Sequence, residues 1–168
     1  MAIIKTLNGI TPKIGKNCFI AENAVIIGDV TIGDDCSIWY GVVLRGDVNT
    51  IKIGNRVNIQ DNASVHTLYK RSVTEIGDDV SVGHNAVVHG AKVGNNVLVG
   101  MGSILMDNAE IADGSIIAAG AVVLSNSKLE PGVYAGVPAK KVKDGSDAVT
   151  EAAHKNAAGY MMYKDWYK

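Results

Sequence analysis

Three of the four histidines, His66, His84 and His89, fall in one stretch of this 168-residue chain. His84 and His89 stand five apart in VGHNAVVHG, among Gly, Ala and Val and with almost no other titratable side chain nearby. A single histidine in such a setting is ordinarily a surface residue or one satisfied by backbone. Three neutral imidazoles that converge and leave one position open are the catalytic zinc arrangement, in which bound water is acidified to a pKa of about 7. Arg45, Asp47, Gln60 and Asp61 precede them and could complete such a site. Whether these residues meet depends on the element that carries them.

That element shows itself as a period. From Ile14 an aliphatic residue returns every six positions through Ile20, Ile26, Ile32, Ile38 and Leu44. It resumes at Ile53, Ile59 and Val65 and, after the excursion TLYKRSVTE, at Ile76, Val82 and Val88. It then runs from Val93 to Val123. Six is a multiple of the two-residue strand period, so the aliphatic side chain always faces the same way. Hexapeptide repeats of this kind mark a parallel β-helix. Three hexads close one triangular coil, so the eighteen hexads predict about six coils. The many Ile and Val, the 19 Gly and the single Phe suit short strands with tight corners.

Coil counting then places the histidines. Hexads three apart lie one above another, roughly 4.8 Å away. His66 follows Val65 and His89 follows Val88, one full coil later, so the two share an outward slot, with Arg45 in that slot one coil earlier. His84 sits around a corner, in the slot that Asp61 fills one coil before, and does not reach the pair within one chain. A three-fold packing of prisms would bring one chain's His84 to the next chain's His66 and His89.

The rest of the sequence bounds the reading. Pro131, Gly132, Gly136 and Pro138 break the repeat, and the solenoid is expected over 1–144. The Ala-rich segment 145–168 predicts a C-terminal helix along the coils, N-capped by Ser146 or Asp147, with Met161, Met162, Tyr163, Trp166 and Tyr167 as packing contacts. Sixteen basic and 17 acidic residues nearly cancel, which argues against a nucleic-acid partner. No apolar run reaches the roughly 20 residues of a membrane span, and MAIIKTLNG lacks the layout of a secretory signal. A cytoplasmic protein is expected. Cys18 and Cys36 read as free buried thiols.

With RGD at Arg45–Asp47, NIQDNASVH at Asn58–His66 and GHNAVVHG at Gly83–Gly90, the chain resembles the γ-class carbonic anhydrases of the hexapeptide-repeat superfamily over nearly its full length. The resemblance implies a left-handed parallel β-helix and a homotrimer. It also implies a metal at each subunit interface, zinc or else iron or cobalt, held by His66 and His89 of one chain and His84 of the next. It further implies an ion pair between Arg45 and Asp47 across the interface, Gln60 and Asp61 beside the bound solvent or bicarbonate, and hydration of carbon dioxide as the reaction. By the same resemblance Tyr160 on the C-terminal helix is expected to reach the site, as a tyrosine does in relatives. The sequence departs from the most active archaeal type, which carries a shuttle glutamate just after the RGD-like segment. Here Val48-Asn49 stand there, and the later excursion offers only Glu75.

Three other readings stay open. A coenzyme A acyltransferase shares the repeat but needs one histidine and no metal triad. A metal-binding relative could hydrolyse thioesters, or serve structurally without turnover.

Overall fold

Most strands in this protein are two or three residues long, too short to persist unless both neighbours complete their hydrogen bonds. The repeat supplies those neighbours. The structure, a computed structural model describing residues 1–167, is a parallel β-solenoid of three faces. The first face stacks Ile4, Ile26, Leu44, Val65, Val88, Leu105 and Val123 in register. The second runs from Ile14 to Leu129 and the third from Ile20 to Tyr134.

Each face therefore holds seven ranks, one coil more than the eighteen hexads predict. The extra coil is made by residues at the ends of the repeat. Ile4 is cut off from Ile14 by a two-residue turn at Asn8-Gly9, both at positive φ, and so falls out of the period. Leu129 continues the second face, and Tyr134 follows only five residues later, across Pro131. Inside, Ile26, Leu44, Ile59, Val82, Val88 and Leu105 are fully buried. Each such side chain contributes about 1.5–3 kcal/mol, which is what holds strands of two residues in place.

The corner between the second and third faces needs a different device, because its backbone N–H groups turn away from the strand ladders. Asp34, Asn55, Asp78, Asn95 and Asp113 form a column there. Each Oδ1 accepts from the backbone N–H one coil earlier, at 2.7–2.9 Å. On the second face the outward charges alternate, Lys52, Glu75, Lys92, with Glu75 3.9–4.0 Å from both lysines.

An antiparallel hairpin, Gly132–Ala135 with Lys140–Asp144, ends the solenoid. Helix α1, Asp147–Tyr163, follows, and a 3-10 turn covers Lys164–Tyr167. Ser146 is the N-cap, its side chain accepting from Val149 N–H. The helix lies on the third face and buries Val149, Ala153 and Ala157 rather than its bulky end. Met162 and Trp166 are more than half exposed; Met162 departs from the packing role expected of it, while Trp166 meets the Tyr163 ring at 5.0 Å and Tyr167 meets Trp39 at 5.2 Å. Small residues spaced four apart let the helix approach a flat sheet face closely, which methionines and tryptophans would prevent. Among the described residues no helix is long and apolar enough to cross a membrane.

Candidate metal centre

His66 and His89 are cross-strand neighbours on the first face. Their rings approach with His66 Nδ1 3.1 Å from His89 Nε2. The outer nitrogen of each ring is tied to a carboxylate: His66 Nε2 lies 2.9 Å from Asp47 Oδ1 and His89 Nδ1 3.0 Å from Asp107 Oδ1. An ionised carboxylate only accepts, so the ring protons must sit on those outer nitrogens. The two inner nitrogens then face each other as lone pairs. Such an arrangement calls for a cation.

Several local features build this pair. Asp47 takes a second hydrogen bond from Arg45 Nη1 within the same chain. Burial alone would raise the Asp47 carboxyl, but the bonds from His66 and Arg45 outweigh it and hold it below its usual range. The pairing across subunits expected of Arg45 and Asp47 is thus already made inside one chain. Ser72, in the excursion after His66, donates to Asp107 at 2.6 Å and so holds the carboxylate that orients His89. Gly90 follows His89 at φ +61, and a side chain there would strike both Ser72 Oγ and Asp107 Oδ1.

His84 lies elsewhere, as coil counting predicts. It stacks over Asp61, with Nδ1 2.8 Å from Asp61 Oδ2, which leaves Nε2 unengaged by that contact. A turn at His84-Asn85 precedes the strand Val87–His89, so His84 stands at the corner before the first face and His89 at the far end of its strand. Gln60 is buried and donates from Nε2 to Asn58 Oδ1 at 2.9 Å, which turns its Oε1 to other partners. His84, Gln60 and Tyr160 line one cavity of about 370 Å³. The Tyr160 hydroxyl is pushed above its ordinary pKa by burial and next by the charge on Asp61. Glu75, the only carboxylate the excursion offers, sits between lysines on the second face.

The chain therefore carries two separate clusters of candidate site residues. One is Arg45, Asp47, His66, His89 with Asp107 and Ser72; the other is Gln60, Asp61, His84 and Tyr160. Among the described residues no three His, Cys, Asp or Glu side chains gather to hold a metal within one chain. The donor set nevertheless suits one. All three histidines show the carboxylate–imidazole pairing that fixes the tautomer of a metal ligand and raises its basicity. The 3.1 Å between the inner nitrogens is close to the roughly 3.3 Å edge of a tetrahedron with Zn–N bonds of about 2.0 Å. The fourth histidine, His154, pairs with an amide, Asn96, and has no carboxylate partner among the described residues. Asp107 and Ser72 escaped the sequence reading. The signal was that Met106 holds the slot of His89 one coil on, so Asp107 overhangs it.

Comparison with known proteins places these clusters in context. Profiles described as "Bacterial transferase hexapeptide (six repeats)" match residues 11–46 and 90–125, and "Hexapeptide repeat of succinyl-transferase" matches 73–106. The chain is 43% identical to a carbonic anhydrase of Geobacillus kaustophilus, over 99% of this chain and 91% of that protein. It is 42% identical to mitochondrial gamma carbonic anhydrase 2 of Arabidopsis thaliana, over 90% of this chain and 56% of the plant protein. The chain belongs to the γ-carbonic-anhydrase-like family. A solved hexapeptide transferase family protein from Anaplasma phagocytophilum shares 40% identity and a TM-score of 0.91, covering 99% and 98% of the two chains. The transferase profiles describe the repeat.

Proposed function

We propose that this protein is a metal-dependent carbonic anhydrase that hydrates carbon dioxide reversibly to bicarbonate. Its sites lie between subunits of a homotrimer, each held by His66 and His89 of one chain and His84 of the next. The observation that carries this reading is the pairing of all three histidines, and not the fourth, with carboxylates at 2.8–3.0 Å. A divalent metal bound there, most simply zinc, supplies Lewis acidity that brings the pKa of water into the neutral range.

The chain's own residues do the rest. Asp47, Asp61 and Asp107 hold each imidazole in the tautomer that presents a lone pair. Gln60, anchored by Asn58, offers Oε1 to accept from the hydroxyl of bicarbonate and so orients it. Tyr160, partly buried and protonated well above neutral pH, donates to a ligand and narrows the cavity against bulk water. Arg45, bonded to Asp47 and 44% exposed in the single chain, would contribute to the contact with the neighbouring subunit, and Arg45→Ala should weaken the trimer at low protein concentration. With Val48-Asn49 in place of a shuttle glutamate and Glu75 engaged by lysines, proton export limits turnover, so the rate should rise with buffer concentration.

The test uses two dead variants. His84→Ala and His89→Ala should each remove every metal site. Refolded together, a His84→Ala chain still offers His66 and His89, and its His89→Ala neighbour offers His84. Metal binding and hydration should then return in part. Mixed trimers, verified by mass, that bind no metal would refute sharing between chains. Metal-free wild-type protein that acylates an acceptor would instead favour the acyltransferase. Metal binding with thioester hydrolysis, or with no turnover, would favour the other two readings.

A further inference from the structure

Only 5% of the chain is Phe, Trp or Tyr, yet most of these side chains gather where the end of α1 and the Lys164–Tyr167 turn meet the first coils. Trp39 meets Tyr160 at 5.6 Å and 78°, and Tyr167 at 5.2 Å and 89°. Tyr160 meets Tyr163 at 5.3 Å and 69°. Rings set nearly at right angles form adjacent walls rather than a stack. With Tyr40 and Trp166 they enclose a cavity of about 230 Å³ whose remaining wall is the Asp61 carboxylate.

Two features distinguish this cluster from ordinary core. Trp166 and Tyr167 are 68% and 52% exposed, so the box opens to solvent. None of the described residues lining it is basic, and the cation–π contacts found among the described residues, Lys70 on Tyr69 and Lys141 on Tyr134, lie elsewhere. Lys164, in the same turn, is buried and bound to Asp165. The Tyr40 hydroxyl is raised by burial and then by the charge of Glu22, and Tyr160 by burial and then by Asp61.

We infer that this box binds the quaternary ammonium group of a small organic cation, held by the aromatic rings with Asp61 as counter-charge. Ring faces attract such a cation through their quadrupoles, and a carboxylate beside them adds charge, with no basic side chain among the described lining residues. Size permits it, since an apolar cavity of about 150 Å³ already admits benzene. The box is built within one chain and needs no metal. Asp61 and Tyr160 are shared with the His84 cluster, so an occupant would sit one side chain from that histidine.

The test is a titration of metal-free, full-length protein at constant ionic strength. Choline, tetramethylammonium and 3,3-dimethylbutan-1-ol, the neutral isostere of choline, are followed by tryptophan fluorescence and by ligand NMR. Both cations should saturate, and choline should bind between about twofold and thirtyfold tighter than the isostere. Trp166→Leu, a change at a position 68% exposed whose folding is checked by circular dichroism, should erase most of that preference, and Trp166→Phe should keep it. Equal binding of choline and the isostere, no saturation by either cation, or an unchanged preference in Trp166→Leu would each overturn the inference. So would a trimethyl-lysine peptide binding more than tenfold tighter than choline, which would move the ligand from a free cation to a modified protein.

Discussion

Two polar columns run up the corners of this solenoid, built by the same stacking but opposite in consequence. In the column Asp34, Asn55, Asp78, Asn95, Asp113, each side chain turns back and accepts from the main chain one coil below. In the column Arg45, His66, His89, the side chains bond to carboxylates, and one nitrogen of each imidazole lies 3.1 Å from one of the other. The first column consumes its hydrogen-bonding capacity on architecture. The second keeps two lone pairs aimed at one point. A regular fold thus separates structural polar residues from chemical ones by what their heteroatoms bind, and spacing alone does not separate them.

The largest expected effect tests the chemical column directly. His89→Ala should lower bound metal more than tenfold, since two imidazoles seldom hold zinc, while the melting temperature moves little. Full metal occupancy in that variant would erase the distinction. Asp107→Asn comes next. It keeps the shape but weakens the orientation and basicity of His89, and metal affinity should fall about 10–100-fold in a competition assay with a chelator.

A change in the architectural column should show the reverse. Asp78→Ala leaves the backbone N–H of Asn55 without its 2.8 Å acceptor. That should cost about 1–2 kcal/mol, seen as a melting temperature lower by about 2–8 °C with metal affinity unchanged. Asp78→Asn retains Oδ1 and should restore most of the stability. Loss of metal binding in Asp78→Ala would show that the two columns are coupled.

The smallest effect concerns a pair of thiols at the foot of the architectural corner. Cys36 is buried and Cys18 only half-buried, because few residues cover the first coil. The neighbouring Cys36 thiol lowers the Cys18 pKa to about 7 against the opposing effect of burial, while Cys36 itself is pushed up. A lowered pKa means the thiolate appears earlier as pH rises. Alkylation by iodoacetamide should therefore occur at Cys18 alone, its rate climbing through about pH 7. In Cys36→Ala the midpoint should move up toward the ordinary value of about 8.5. Equal labelling of both thiols would contradict the asymmetry.

Much of this was readable beforehand, for one physical reason: a strand repeat converts sequence separation into spatial position. The eighteen hexads specified the three faces, the stacking of His66 on His89 and the separation of His84, because each depends only on counting coils. The count failed where periodicity failed, at Ile4, Leu129 and Tyr134, and added a coil there. Of the bulky helix end, Tyr163 and Tyr167 pack against the rings of Tyr160 and Trp39, while Met162 stays more than half exposed, because packing depends on the partner surface. A flat sheet face favoured Val149, Ala153 and Ala157 over Met162 and Trp166.

The sequence by itself thus determined the architecture and the columns in which the chemistry stands. Tertiary structure alone decided which atoms bind which. Nothing in the repeat says that Asp107 reaches His89, that Ser72 reaches over from the excursion to hold Asp107, or that Asp47 joins Arg45 to His66 within one chain. Nor does it say that Asp61, which touches His84, also walls an aromatic box made with the far end of the chain. Those contacts are set by side-chain rotamers and by loops that leave the period, and neither is encoded in a six-residue spacing.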